Sequence, residues 1–510
     1  MKLAENWIGD LGGDLASTPD EIVQQIAALD IPTKAFIDGQ YVDAKSGKTF
    51  ESISPINGKV LAEVAECDRE DVDAAVTAAR RAFNAGKWAN MAPGARKRTL
   101  LRFADLIAKH ADELALLETL EMGKPISFSR NIDMNGVVET VRWYAEAIDK
   151  VYGEIAPTAP NTLDLVTREP MGVVGAVVPW NFPLMMAAWK FAPILAAGNS
   201  LVIKPAEQSP LSLLRAAALA AEAGIPEGVF NVLPGYGPTA GAAIGRHMDV
   251  DAVAFTGSTE VGKLFLKYAG ESNMKSVSLE CGGKSPNIVF ADSDLSKAIF
   301  GAGFGVFFNS GQCCNASTRL IIEESAKDQF LEGLKAFGDG MKPDNPLNPQ
   351  TKMGTILDDV QTERVMGYIE KGRSEGASIY SGGEQVHRNT GGYYVEPTIF
   401  DDVRNEMTIA QEEIFGPVLT TMTFKDMDEA VAIANDSIYG LWASVWTKDI
   451  DKAHGVARKL RAGTVNINDT AGGDITVPFG GYKQSGFGRD KSLHALEKYT
   501  QLKTTHIKLG

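Results

Sequence analysis

Between residues 170 and 280 short unbroken apolar runs alternate with longer stretches of helical spacing. The runs are Val173-Val174-Gly175-Ala176-Val177-Val178, Ser200-Leu201-Val202-Ile203, Val229-Phe230-Asn231-Val232-Leu233 and residues 250–255, with helices reaching Ala197, Ala223 and Arg246 between them. A strand buried on both faces reads as a continuous apolar run, and helices between such strands make the sheet parallel and covered on both sides. The alternation restarts after Gly283, with residues 286–290, a helix to about Asn309, residues 319–324, a helix to Gly338, and strands around Thr398, Val418, Ala443 and Val465. Upstream, Asp38-Gly39 and Asn57-Gly58 are turn pairs of two β-hairpins, and residues 70–86, 93–121 and 131–150 carry helical periodicity. Thr18-Pro19-Asp20-Glu21 reads as the capped start of a short helix, with Pro just inside, in a peripheral arm. The polar stretch Val151 to Arg168 reads by spacing as a protruding hairpin or as an ordinary surface loop, and the alternation over Leu502 to Leu509 suits a strand whose edge needs a partner.

The pattern predicts an α/β chain: an arm over 1–34, a doubly wound parallel-sheet unit from 35–150 and 171–282, a second α/β unit over 283–482, and a small β element from 151–170 and 497–510. A doubly wound sheet suits a dinucleotide in the first unit. At 510 residues the chain exceeds what one core supports, which agrees with two large units. A net charge of −15 without a concentrated basic run argues against nucleic acid and anionic membrane surfaces as partners. The start Met1-Lys2-Leu3-Ala4-Glu5-Asn6 lacks a signal peptide's basic and apolar parts, and no apolar run reaches spanning length. Four cysteines (Cys67, Cys281, Cys313, Cys314) are too few for a disulfide framework and fit a reducing cytoplasm. The six histidines are dispersed, and no metal is expected in the chemistry.

Two of those cysteines are adjacent, in Asn309-Ser310-Gly311-Gln312-Cys313-Cys314-Asn315-Ala316. Upstream lie Leu279-Glu280-Cys281-Gly282-Gly283-Lys284-Ser285-Pro286 and Pro179-Trp180-Asn181-Phe182-Pro183. A thiol, a carboxylate and a side-chain amide make a nucleophile, a base and an oxyanion donor. A thiol with a reference pKa of about 8.5 needs activation, and Glu280 or a water it holds is the candidate acceptor. Gly257-Ser258-Thr259-Glu260-Val261-Gly262-Lys263 satisfies the first seven positions of a P-loop, but Leu264 stands where Mg²⁺ ligation needs Ser or Thr. The nucleoside-triphosphatase reading fails, while a helix N-terminus after a strand still offers N–H groups and the Ser258 hydroxyl to a pyrophosphate.

These motifs, with Phe255-Thr256-Gly257-Ser258-Thr259, Glu412-Glu413-Ile414-Phe415-Gly416-Pro417 and Pro478-Phe479-Gly480-Gly481, resemble the NAD(P)-dependent aldehyde dehydrogenase superfamily from about residue 35 to the end. The resemblance implies Cys314 as nucleophile, since the family's cysteine follows a Gly-Gln-Xaa prefix, with Cys313 its neighbour. It implies Asn181 and the Cys314 N–H as oxyanion donors, Glu280 as the base for thioester hydrolysis, and Lys190 as an aid to proton movement, though Lys190 also reads as a plain helix cation. Cofactor contacts are implied for Trp180, Lys204, Glu207, Gly257, Ser258, Glu413 and Phe415. A carboxylate at Glu207 favours NAD over NADP, with Lys204 beside it leaving NADP open. The hairpin and last strand are the implied means of building a dimer or a homotetramer.

Two longer runs, Gly473 to Lys498 and Arg142 to Glu154, resemble the bacterial γ-glutamyl-γ-aminobutyraldehyde and 4-guanidinobutyraldehyde dehydrogenases of polyamine breakdown. The implied substrate is an ω-amino or γ-glutamylamino aldehyde, against broad-specificity, semialdehyde or aromatic alternatives. Phe182, Met185, Met186, Trp189, Cys313, Asn315 and Phe479 are expected to line its pocket. Residues 468–474 lack aromatics, so a roomy polar mouth is expected, with Asp469 or Asp474 favouring a nitrogen-bearing tail. A coenzyme A-acylating enzyme would lack Glu280, a glyceraldehyde-phosphate type needs a basic pocket not seen here, and an inactive structural protein would not keep every catalytic residue.

Overall fold

The computed structural model describes residues 18–470 and 472–510, so residues 1–17 of the arm and Ala471 at the expected substrate mouth lie outside the described residues. Helix α1 (Asp20–Ala28) starts one residue after Pro19 and has no side-chain cap. The described part of the arm is not peripheral. Its Ile22, Ile26, Leu29 and Ile31 are buried in one core with Phe103 and Leu214, because the apolar face of α1 has nowhere else to be covered.

Both hairpins form, β1 (Ala35–Ile37) with β2 (Gln40–Val42) and β3 (Thr49–Ile53) with β4 (Val60–Ala65). Helix α2 spans Arg69–Asn84. The periodicity over 93–121 resolves into two helices, α3 (Pro93–Lys109) and α4 (Ala111–Met122), broken at His110 with ψ near 17°. Asp112 and Glu113 then sit in a new first turn, where the helix dipole favours acids. A π-turn over Ser129–Asp133 leads into α5 (Met134–Ala147).

Strands β5 (Glu154–Ala156) and β6 (Thr162–Pro170) make the expected hairpin. They are followed by β7 (Val173–Val177), helix α6 (Pro183–Ala196), β8 (Ser200–Lys204), helix α7 (Leu211–Ala223), β9 (Phe230–Val232), β10 (Ala252–Thr256), helix α8 (Thr259–Gly270) and β11 (Ser276–Glu280). Every residue of β7, β8, β9 and β10 is buried, which is why they read as unbroken apolar runs. The second unit contributes β12 (Pro286–Val289), α9 (Leu295–Phe307), β13 (Arg319–Glu323), α10 (Lys327–Asp339), α11 (Asp359–Ser374), β14 (Ser378–Ser381), a two-stranded hairpin of β15 (Gln385–Val386) and β16 (Tyr394–Val395), β17 (Thr398–Asp401), β18 (Val418–Phe424), β19 (Trp442–Trp446) and β20 (Thr464–Ile467). The chain then returns to the first unit through β21 (Gly486–Phe487) and ends in β22 (Thr500–Lys508).

Two large sheets result. The first runs β2-β1-β9-β8-β7-β10-β11-β21, with β9 to β11 parallel between antiparallel edges; the second runs β14-β17-β18-β13-β12-β19-β20, parallel except at β14. In the first sheet the chain steps from β7 outward to β9 and then returns to β10 on the other side. The neighbours β7 and β10 are therefore a switch point, where the carboxyl ends of the strands open a crevice. A separate three-stranded sheet, β22-β6-β5, pairs the chain terminus with the hairpin from Thr500↔Pro170 to Lys508↔Thr162.

The turn after α9 is held by a close approach to the loop that precedes β18. Asn309, Ser310 and Gly311 take φ of 51°, 54° and 72° in succession, and a Cβ on Gly311 would run into the Gly416 carbonyl. Alanine at position 311 would carry both a left-handed penalty and that clash. Gly311→Ala is expected to cost more than about 1 kcal/mol of stability, read as a lower thermal unfolding midpoint; an unchanged midpoint would contradict the packing described.

Candidate active site

Several of the sequence-predicted residues at the crevice sit at strand ends. Trp180 and Asn181 follow β7, Lys204 closes β8, Gly257 and Ser258 follow β10, and Glu280 closes β11. Between them lies a cavity of about 210 Å³ whose walls include Trp180, Asn181, Thr256, Glu280, Cys314 and Phe415. A second cavity, of about 440 Å³, opens on the far side of the thiol, and Cys314, Met186, Trp189 and Phe479 belong to both. Cys313 and Asn315 line only the second. Of the two thiols, Cys314 is the one that both cavities reach.

The left-handed turn ahead of Cys314 is held by side chains. Gln312, fully buried, donates to Asn309 O and Thr355 O (both 3.1 Å), and its Oε1 accepts Leu357 N–H at 2.9 Å. Asn309 Nδ2 donates to Asn181 O at 3.0 Å, and Asn181 Nδ2 donates to Gln312 O at 2.9 Å. The amide of Asn181 thus spends one of its two N–H groups on the cysteine loop and keeps the other for a ligand. Burial pushes the Cys314 thiol well above its usual range, and the neighbouring Cys313 adds to this. Cys313 is itself pushed up to about 12 by burial. The resting residue is a thiol, so its proton has to be taken during the reaction.

Glu280 lines the same cavity as the thiol. It is buried, and neither carboxylate oxygen has a hydrogen-bond partner among the described residues. Burial first, and then the negative charge of Asp490, raise it well above the ordinary carboxylate range. Lys190 does not pair with Glu280. Its ammonium is buried against Asp490, whose other oxygen takes Lys498. Burial alone would raise Asp490, but Lys190 and Lys498 together hold it below its usual value. Asp490 and Lys498 were missing from the sequence reading, where they are two charges in a run of mixed residues.

The first cavity has the fittings of a nucleotide site. The α8 N-terminus opens beside Gly257, and Ser258 caps it by accepting Val261 N–H at 3.2 Å, which leaves its hydroxyl proton free to donate. Thr256 Oγ1 is buried in the same wall without a hydrogen-bond partner among the described residues. Glu413 accepts Gly283 N–H at 3.0 Å, and its carboxylate packs where a Cβ on residue 282 would lie. Burial raises Glu413 to about 7. Phe415 has φ of 60° and packs edge-on to Trp180 with ring centres 5.2 Å apart. Gln361 and Arg364, unforeseen in the sequence, brace this loop from α11 by donating to Phe415 O (2.9 Å) and Glu413 O (3.0 Å). Their signal is a polar stripe at helical spacing that ends in Tyr368, which donates to Glu412. Lys204 and Glu207 lie beside the cavity rather than in its wall; the ammonium donates to Glu207 at 3.0 Å and to Pro205 O at 2.8 Å. Those residues fit a dinucleotide: orphan donors, a helix N-terminus and a carboxylate at the end of the adjoining strand. Among the described residues no group of three His, Cys, Asp or Glu can hold a metal ion.

In the second cavity Phe182, Met185, Met186, Trp189 and Phe479 all line the wall. The mouth departs from expectation. Phe304 and Phe308 project from α9 and the turn after it, stacked 5.1 Å apart and continuing to Phe182 at 6.1 Å, so aromatic rings make the inner wall although residues 468–474 supply none. Asp474 does line the cavity, but Asp469 does not; its Oδ1 turns back to accept Thr470 N–H at 2.6 Å. The charged groups at the opening are Asp474, Glu139 and Lys491, of which the last two were not foreseen.

Comparison with known proteins agrees with this geometry. The aldehyde dehydrogenase family pattern matches residues 41–505. The NADP/NAD-dependent aldehyde dehydrogenase PuuC of Escherichia coli is 51% identical over 484 residues, covering 94% of this chain and 97% of that one. Among solved structures, an indole-3-acetaldehyde dehydrogenase in complex with NAD+ superposes with a TM-score of 0.96 at 56% identity, covering 97% of this chain and 100% of that one. The γ-glutamyl-γ-aminobutyraldehyde dehydrogenase of Burkholderia cenocepacia gives 0.95 at 56%, with the same coverage. With the family pattern spanning residues 41–505 and a relative 51% identical over 94% of the chain, this protein belongs to the aldehyde dehydrogenase family.

Proposed function

We propose that the chain oxidises a nitrogen-bearing aldehyde of polyamine breakdown to its carboxylic acid with NAD, water supplying the added oxygen. The aldehyde enters through the aromatic cavity and Cys314 Sγ attacks its carbonyl carbon, the thiol proton passing to Glu280 directly or through a water. The alkoxide forms where the free Asn181 N–H and the Cys314 backbone N–H can donate to it, a position in which removing one donor typically costs several kcal/mol of barrier. When bound, the oxidised nicotinamide supplies the hydride acceptor that turns a thiohemiacetal into a thioester. Once Glu280 has released that first proton to solvent, it takes a proton from water as the water oxygen adds to the thioester carbon; the C–S bond breaks, the acid leaves, and the thiolate is reprotonated to the resting thiol. The observation that carries this reading is Cys314 at the meeting of two cavities, with Glu280 buried and without a hydrogen-bond partner beside it.

NAD is favoured over NADP because the Lys204 ammonium is already spent on Glu207 and Pro205 O. That leaves a carboxylate facing any 2′-phosphate. The doubly wound unit (35–150 and 171–282) is read as the cofactor domain and 283–482 as the catalytic domain. Nitrogen-bearing substrates are favoured by the two carboxylates at the mouth and by the likeness to the Burkholderia γ-glutamyl-γ-aminobutyraldehyde dehydrogenase; the stacked rings Phe304, Phe308 and Phe182 support an aromatic aldehyde as the second reading. Assembly is proposed through β22, whose outer edge is open and which exposes Leu502, Ile507 and Leu509 at the terminus. A dimer or a pair of dimers would cover it, in a cytoplasm that keeps all four thiols free.

Three outcomes test this. Because Glu280 must be deprotonated and its pKa is raised, kcat should climb with pH through a limb lying above the ordinary carboxylate range of about 4 to 5. Glu280→Gln should remove that limb and lower kcat by roughly 10²- to 10⁴-fold; retention of the limb would assign it to another group. Glu207→Gln should shift the ratio of kcat/KM for NAD over NADP toward NADP by roughly tenfold, as one like-charge contact is removed. Deleting residues 500–510 should reduce the mass measured by light scattering to that of a monomer, and an unchanged mass would place the interface elsewhere.

A further inference from the structure

The charges at the opening of the second cavity are arranged by sign. Lys491 is only 8% exposed, and its ammonium donates to the Gly473 carbonyl and lies 5.5 Å from the centre of the Trp189 ring. An ammonium has three N–H donors, and Gly473 O is the one hydrogen-bond acceptor Lys491 has among the described residues. Asp474 and Glu139, both exposed, line the same opening and act on its charge. Asp474 accepts Thr476 N–H at 2.7 Å, and the Thr476 side chain also bonds its carboxylate, which is exposed to the opening.

The backbone is committed to this placement. Lys491 and Ser492 are consecutive non-glycine residues with φ of 61° and 50°, a conformation that persists only where the surroundings enforce it. The preceding residue, Asp490, faces the first cavity and binds Lys190 and Lys498. The strained turn therefore sends one side chain to the reaction chamber and the next into the substrate channel. Trp189 lies between the two ends, lining the wall beside Cys314 and under Lys491.

A cation set into the wall with carboxylates at the lip matches neither a purely cationic tail, which Lys491 repels, nor a purely anionic one, which Asp474 and Glu139 repel. It matches a group carrying both charges on neighbouring atoms. Resting on the reading of this channel as one for nitrogen-bearing aldehydes, we propose that it selects aldehydes whose far end is an α-amino acid, with Lys491 taking the carboxylate and Asp474 and Glu139 the ammonium. Lys491 is then a specificity residue with no part in bond making.

The test is kcat/KM for γ-glutamyl-4-aminobutyraldehyde, 4-aminobutyraldehyde and 6-oxohexanoate, which present a zwitterion, a cation and an anion, with benzaldehyde as the uncharged reference. Lys491→Gln should lower the value for the γ-glutamyl substrate by roughly ten- to hundredfold, the range of a lost charge-assisted hydrogen bond, chiefly through KM. It should lower the value for 6-oxohexanoate and raise that for 4-aminobutyraldehyde. Asp474→Asn should act in the opposite sense on the two simple substrates, and it decides the matter if Lys491→Gln does not fold. An equal change for all substrates in these variants, or none, overturns the proposal while leaving the nitrogen-aldehyde reading in place. A wild-type enzyme that oxidises benzaldehyde but neither nitrogen-bearing substrate overturns both.

Discussion

The contact between Gly311 and the Gly416 carbonyl is the constraint on which the site depends. It leaves no room for a side chain at 311, and it forces the chain through three successive left-handed residues immediately before the cysteine pair. Such a turn is unfavourable by itself, at about 1–3 kcal/mol for each non-glycine residue. The surrounding hydrogen bonds over-determine it: Gln312 is tied at both ends of its amide, and Asn309 and Asn181 exchange bonds with the backbone of each other's loops. The same exchange joins the two sheets, since Asn181 follows β7 of the first and Gln312 lies between α9 and β13 of the second. One network therefore orients the thiol, presents the amide donor and fixes the two units in register.

The second determinant is how buried charge is shared out. Lys190 and Lys498 are both committed to Asp490, which stays ionised, and Glu280 is left beside them with no partner of its own. Two carboxylates in one low-dielectric space cannot be satisfied equally, and the one without hydrogen bonds has its pKa pushed up. A carboxylate raised in this way is a better proton acceptor near neutral pH than an exposed glutamate. The cysteine shows the complementary behaviour: burial keeps it protonated, so it meets the aldehyde as a thiol whose proton that glutamate can take.

Much of this was legible in the chain because it rests on local necessity. Strands buried on both faces have no alternative to continuous apolar sequence, so β7 to β10 were placed within a residue or two. The motifs around Cys314, Glu280, Asn181 and Glu413 carry glycines at close approaches, as at 282 and 311. What escaped was built by tertiary packing. Phe304 and Phe308, four residues apart, read as ordinary core spacing although they face a cavity. Asp490, Lys498 and Lys491 sit in one mixed-charge run, and only the left-handed turn at 491 and 492 separates their destinations. Asp469 resembles a ligand in sequence but is satisfied by its own loop. The arm helix reads as peripheral in sequence because the core that covers Ile22 and Ile26 is assembled from residues far along the chain.

The central claim is that aldehyde and cofactor reach Cys314 from opposite cavities. The most direct measurement is a crystal structure of Cys314→Ala with NAD and γ-glutamyl-4-aminobutyraldehyde bound. The account predicts the carbonyl oxygen within hydrogen-bond distance of Asn181 Nδ2 and of the backbone nitrogen of residue 314, the tail among Phe182, Phe308 and Trp189, and the nicotinamide on the side of Trp180 and Glu413. An aldehyde lodged on the Glu413 side, or a nicotinamide among Phe304 and Phe308, would contradict it.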